Sequence, residues 1–132
     1  MNPSIHNSRH EAFQALRFIA VGAAATLTHM VVATLLYTLM QGRYIALANF
    51  LAWLVAFSVS FWGHQRVTFK RRTTLARFLL MSLSGLAINY LVLWGLLFTP
   101  LPPLLAMLGA IATAAAATYL LAKHHTFAAP AP

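Results

Sequence analysis

Apolar residues fill four stretches of this chain with no charged side chain among them: Phe18–Met40, Ala46–Gly63, Phe78–Phe98 and Leu104–Ala122. Each is 18 to 23 residues long. At about 1.5 Å of rise per helical residue, that is enough to cross a hydrocarbon core of roughly 30 Å. Inside lipid the backbone must satisfy its own polar groups, and no segment has the alternating polarity and turn signals of a barrel strand, so the stretches predict helices. The expected fold is an all-α membrane protein with spans over residues 18–40, 45–64, 78–98 and 103–122 of a single membrane domain covering 1–132. Ahead of the first span, Ser8-Arg9-His10-Glu11 fits a capping box, and Phe13 and Leu16 carry an apolar stripe toward Phe18. That pattern predicts a short interfacial lead-in helix over residues 8–17.

Composition agrees: 61% of residues are hydrophobic, only 8% are charged, and the mean hydropathy is +0.74. Almost nothing is left for a soluble catalytic domain, so function must lie between the helices or at their ends. Nine Lys and Arg face a single acid, Glu11. In a soluble chain that balance would point to nucleic acid, but here the cations flank the apolar runs, and no nucleic-acid partner is expected. Arg9 and Arg17 precede the first run, Arg66, Lys70, Arg71, Arg72 and Arg77 fill the middle connection, and Lys123 follows the fourth run. The other two connections hold Arg43 alone. By the positive-inside rule both termini and the middle connection are cytoplasmic, as expected of a multi-pass protein of the bacterial cytoplasmic membrane. With no cysteine there is no disulfide or thiolate metal site to read, and no cofactor is expected.

The two halves align. A shift of 60 residues places Arg17-Phe18 on Arg77-Phe78, His29 on Asn89 and Val32 on Val92. A shift of 58 places Ser60-Phe61 on Thr118-Tyr119 and Gln65 on Lys123. The pattern predicts a duplicated helical hairpin whose parallel repeats are related by an axis near the membrane normal. Trp62 and Tyr119 near the inner ends, and Tyr37, Tyr44 and Trp94 near the outer ends, fit two aromatic belts. Gly109, Ala110, Ala112 and Ala114–Ala117 give the fourth helix a small-residue surface for intramolecular packing or, alternatively, for a homodimer.

His29, Asn49 and Asn89 are the informative polar residues inside the spans, because an amide or imidazole in hydrocarbon needs a partner or a polar cavity. His29 and Asn89 stand about twelve residues, hence roughly 18 Å, beyond Arg17 and Arg77, which puts both near the midplane. They are either interhelical hydrogen-bonding glue or a path for a ligand headgroup. At the inner ends, His64, Gln65, Arg66, Arg77, Lys123 and Arg17 form a second constellation. They act either as topology signals or as a site converging on a lipid phosphate, where Arg suits bidentate contact and Lys a point charge.

Enzyme chemistry finds little support. Without Asp or Cys there is no carboxylate pair, no acidic Mg²⁺ site and no acid to orient a Ser–His pair, and His124-His125 alone is a weak metal signal. The expectation is a non-enzyme whose ligand is an anion or a neutral group attached to one.

The segments Arg17-Phe18-Ile19-Ala20-Val21-Gly22, Ala48-Asn49-Phe50-Leu51-Ala52 and Phe61-Trp62-Gly63-His64-Gln65-Arg66-Val67-Thr68-Phe69 resemble the GtrA-like family of small four-helix membrane proteins. The resemblance covers roughly Leu16 to Phe127. It implies flipping or binding of a sugar linked to a polyprenyl phosphate, such as undecaprenyl phosphate, in cell-envelope polysaccharide synthesis. Asn49 matches the family's intramembrane Asn, and Arg66 with Thr68 and Phe69 its basic-aromatic motif. The chain departs from the pattern at His64-Gln65, where the family often has Asn-Arg, at Val67 in place of Trp, and at Lys123 in place of Arg. Two alternatives stand beside this reading: a non-transporting assembly subunit of a membrane glycosyltransferase, and a small-molecule exporter resembling the small multidrug transporters. The exporter is disfavoured by the missing intramembrane carboxylate.

Overall fold

A computed structural model describes residues 3–68 and 75–125, with side chains from 7 to 66, at 76 and from 78 to 121. Four α-helices make up the described chain: α1 (Pro3–Leu39), α2 (Ile45–Gly63), α3 (Leu75–Leu97) and α4 (Pro103–His125). One turn of π-helix, His64–Thr68, extends α2. All four helices are long and apolar enough to cross a membrane.

α1 corrects one expectation. It runs 37 residues without interruption, about 55 Å at helical rise, so the lead-in is the first part of the spanning helix and not a separate element. Ser8 therefore lies inside the helix and not at its N-cap. The physical reason is local. Glu11, Ala12, Gln14, Ala15, Leu16 and Arg17 are nearly all strong helix formers with no Gly or Pro among them, while Pro3 suits the first helical position. At its other end α1 closes in a Schellman turn: Gly42 N–H donates to the Tyr37 carbonyl at 2.9 Å and Gln41 N–H to that of Thr38 at 3.0 Å. Gln41 takes the left-handed position at φ 55°, a place usually given to glycine.

The helices alternate in direction. α1 lies along α2 and α3 along α4 as two hairpins, which meet chiefly where α1 runs beside α4. Small residues set the spacing within each hairpin. Gly63 receives Val21, and Gly85 sits against Thr118. Gly109 faces Leu96 of α3 and Ala110 is fully buried, so part of the small-residue surface of α4 is used inside the chain. Toward the connections 40–44 and 98–102, here termed the loop end, Ala33, Ala52, Leu93, Ala106, Met107, Ala110 and Ile111 form a solid apolar core. Among the described residues α1 and α3 make no close backbone approach. Toward the opposite, basic end, where Arg17 and Arg66 stand, the space between the four helices is open.

Candidate functional site

That space is a cavity of about 650 Å³, walled by all four helices from Phe18, His64, Phe78 and Tyr119 at the basic end to His29 and Asn89 at its deep end. Its volume falls in the range, about 300–1,000 Å³, of pockets that hold small ligands. On α1 the wall includes Ile19, Ala23 and Leu27, which recur every four residues on an exposed edge of the helix. The cavity thus reaches the apolar flank of the bundle as well as its basic end. Two of the wall residues, Gly22 and Gly85, are glycines, and a β-carbon at Gly22 would meet nothing within 4 Å.

The three intramembrane polar residues join into one chain across α1, α2 and α3. His29 Nε2 lies 3.0 Å from Asn49 Oδ1 and 3.3 Å from the Asn49 carbonyl oxygen. Because a backbone carbonyl can only accept, Nε2 carries the proton and donates to both. Asn49 Nδ2 then donates to Asn89 Oδ1 at 2.8 Å. One turn away, the Tyr90 hydroxyl donates to the Ala46 carbonyl at 2.8 Å, a second polar bridge between the hairpins. His29 and Asn89 are on the cavity wall, whereas Asn49 stands behind them, fully buried, and takes no part in the lining.

The inner-end constellation divides. Arg66 is exposed on the π-helical turn, with its guanidinium carbon 3.6 Å above the centre of the Trp62 ring, a cation–π arrangement. Arg17 is exposed on α1 and Gln65 half-buried. His64 is buried on the cavity wall, its ring 4.6 Å from that of Phe18 and 5.8 Å from that of Phe78. Residues two apart on a helix point to nearly opposite sides, so the imidazole faces inward and the guanidinium outward. Arg77 lies in the first turn of α3 and Lys123 in the last turn of α4; their side chains are outside the described set. Among the described residues no three of His, Asp or Glu gather closely enough to hold a metal ion.

Several site residues are not evident from the sequence pattern. Phe50, Trp53, Phe57 and Phe61 form an aromatic ladder along α2, with centroid spacings of 5.8, 5.6 and 6.1 Å, and Phe78 of α3 leans on Phe57 and Phe61. Ser60 and Ser82 put hydroxyls on the wall, and Tyr119 lines the cavity rather than facing only the membrane surface. One signal was present for Ser60: the 58-residue shift pairs it with Thr118, and both line the cavity.

Four apolar helices around a half-open interior define a multi-pass membrane protein. The chain belongs to the family described as GtrA/DPMS, transmembrane domain, which matches residues 17–127. It is therefore a GtrA-like membrane protein of lipid-linked sugar processes. No curated protein and no solved structure matches it.

Proposed function

We propose that the chain binds a polyprenyl-phosphate-linked sugar with the sugar in the cavity, and carries it across the cytoplasmic membrane without chemical change. The observation that supports this best is the shape of the interior: a cavity of about 650 Å³ open at the basic end and along α1, but closed toward the loop end by packed side chains. A phosphate at the mouth meets Arg17 and Arg66, with Arg77 and Lys123 as further members of the set. The prenyl tail leaves along the apolar edge of Ile19, Ala23 and Leu27, and the sugar occupies the interior, where Trp53 and Phe57 offer aromatic faces. In this reading the basic end is cytoplasmic and the state is open to that side alone. Passage requires a second arrangement in which the hairpins part at Asn49–Asn89 and Tyr90–Ala46. A cationic-drug exporter fits less well, since no acid lies on the cavity wall.

Ligand that binds the folded state alone stabilises it by RT ln(1 + [L]/Kd), about 2.7 kcal/mol at a hundredfold excess over Kd. Purified protein should melt at higher temperature with a glycosylated polyprenyl phosphate than with the bare phosphate, and vesicles containing it should move a labelled glycosyl lipid between leaflets. If the glycosyl lipid stabilises no more than a phospholipid of equal charge, the cavity is not a headgroup site.

A further inference from the structure

The chain through Asn49 uses only part of the polar capacity of its two outer members, His29 and Asn89. Asn89 accepts through Oδ1 but its Nδ2 donates to no described protein atom, although the residue is only 2% exposed. His29 donates through Nε2, which leaves Nδ1 with a lone pair and no described protein partner, in a residue 7% exposed. A buried donor or acceptor left unpaired is costly, so natural structures rarely keep one without a purpose. Here an unpaired donor and an unpaired acceptor belong to two residues at the same deep end of one cavity.

Some of the hydroxyls of the wall add to this. Ser58, Ser84, Thr38 and Thr113 are on exposed faces and fold back onto the carbonyl four residues earlier. On the cavity wall Thr26 and Thr118 do the same, whereas Ser60, Ser82 and Tyr119 make no such bond among the described residues. Three of the five hydroxyls on the wall are thus left available to the cavity, beside the Asn89 amide and the His29 imidazole.

We infer that the deep end of the cavity is a hydroxyl-selective subsite, in which His29 Nδ1 accepts a hydrogen bond from one sugar hydroxyl, Asn89 Nδ2 donates one to it, and Asn49 positions both. The inference rests on the cavity being the headgroup site. A hydroxyl supplies one donor and two acceptor lone pairs, which this pair complements. An ammonium only donates and would leave the Asn89 amide unserved; a carboxylate only accepts and would oppose the His29 lone pair. A deoxy position would leave both protein groups buried and unpaired, the situation in which polar sites discriminate most strongly. Asn49 touches no ligand. It consumes Nε2 of His29 and Oδ1 of Asn89, so that the complementary atoms are the ones left for the cavity.

The test uses short polyprenyl phosphates carrying glucose, galactose or mannose, with the bare phosphate as reference and binding measured on the purified full-length chain. The tightest hexosyl lipid is then compared with its own series of single-deoxy analogues. One analogue should bind at least about tenfold more weakly than its parent, and that difference should vanish in His29→Leu and Asn89→Leu. In the unmutated protein, the ¹⁵N resonance of His29 Nδ1 should move with the parent lipid and not with the discriminated analogue, a readout that needs no variant to fold. If no hexosyl lipid binds better than the bare phosphate, the headgroup reading falls and the subsite with it. If hexosyl lipids bind better but every deoxy analogue equals its parent, or if Nδ1 stays unmoved, the subsite is overturned while the headgroup site stands.

Discussion

Val21 is set into Gly63 so closely that a β-carbon on the glycine would come within 2.6 Å of Val21 Cγ1. The contact fixes how near α1 and α2 approach at the basic end, next to the cavity mouth. Val21 is branched at Cβ and stiff at χ1, so it cannot swing aside as a long flexible chain could. Gly63→Ala should therefore destabilise the protein by about 1–3 kcal/mol through overpacking. Gly22→Ala, one residue from Val21 with open space around it, should be neutral or stabilising by up to about 1 kcal/mol from helix propensity. Thermal unfolding in detergent compares the two, and adding Val21→Ala to Gly63→Ala should recover most of the loss.

Asn49→Leu should be more harmful than a typical polar change in a membrane helix. Interhelical hydrogen bonds in bilayers average about 0.6 kcal/mol, but here one amide serves both neighbours, and its removal strands Asn89 Oδ1 and leaves His29 Nε2 only its longer bond to the backbone carbonyl of residue 49. A loss of about 1–3 kcal/mol is expected, against almost none for Ser58→Ala, whose hydroxyl bonds its own helix on an exposed face. Urea or thermal titration of the two variants in one detergent distinguishes them.

Arg66 and Trp62 act as a unit. With the guanidinium stacked at 3.6 Å, Arg66→Ala should weaken binding of polyprenyl phosphate about tenfold or more, in line with charge-assisted contacts of about 1.5–3 kcal/mol. Arg71→Ala should cost much less. Arg66→Lys keeps the charge but loses the planar fork and its stacking, so an intermediate affinity is expected. Equal small losses from all three variants would reduce the group to general attraction for anionic lipid.

Orientation is open to a direct check. An enzyme active only in the periplasm should be silent when fused after Pro132 and active when inserted at Thr99; the opposite pattern would reverse the direction of the cavity.

Gln41 offers a stability test remote from the site. An L-residue in the left-handed region costs about 1–2 kcal/mol, and the Schellman turn asks only for backbone groups there. Gln41→Gly should raise the melting temperature without altering lipid binding.

How much of this can be read from the chain depends on range. Helix existence follows from charge-free runs and lipid thickness, which are local facts, and the polar residues His29, Asn49 and Asn89 stand out against them for the same reason. The start of α1 does not, because Ser8–Glu11 has the same sequence pattern whether it begins a helix or continues one. Asn49 and Asn89 look alike in sequence, yet one is sealed between helices and the other lines a cavity. Only the rotation of α2 against α3 separates them. His64 and Arg66 read as one basic ending until the helix is seen to continue through them, which puts them on opposite faces. Tyr90 is missed because a tyrosine within a span reads as part of the apolar run, and its partner is a carbonyl 44 residues away.

The division of the bundle into a hollow half and a packed half has an electrical consequence. Water filling the cavity from the basic end would bring bulk potential nearly to His29, so that the membrane voltage falls across the packed half alone, roughly 15 of the 30 Å of hydrocarbon. The local field there is about doubled. Moving a full charge through the voltage is still worth about 2.3 kcal/mol per 100 mV, but nearly all of that work is concentrated in the short passage beyond Asn89. A phosphate resting at the mouth would feel almost none of it, and a phosphate crossing the core of Ala33, Leu93 and Met107 would feel nearly all.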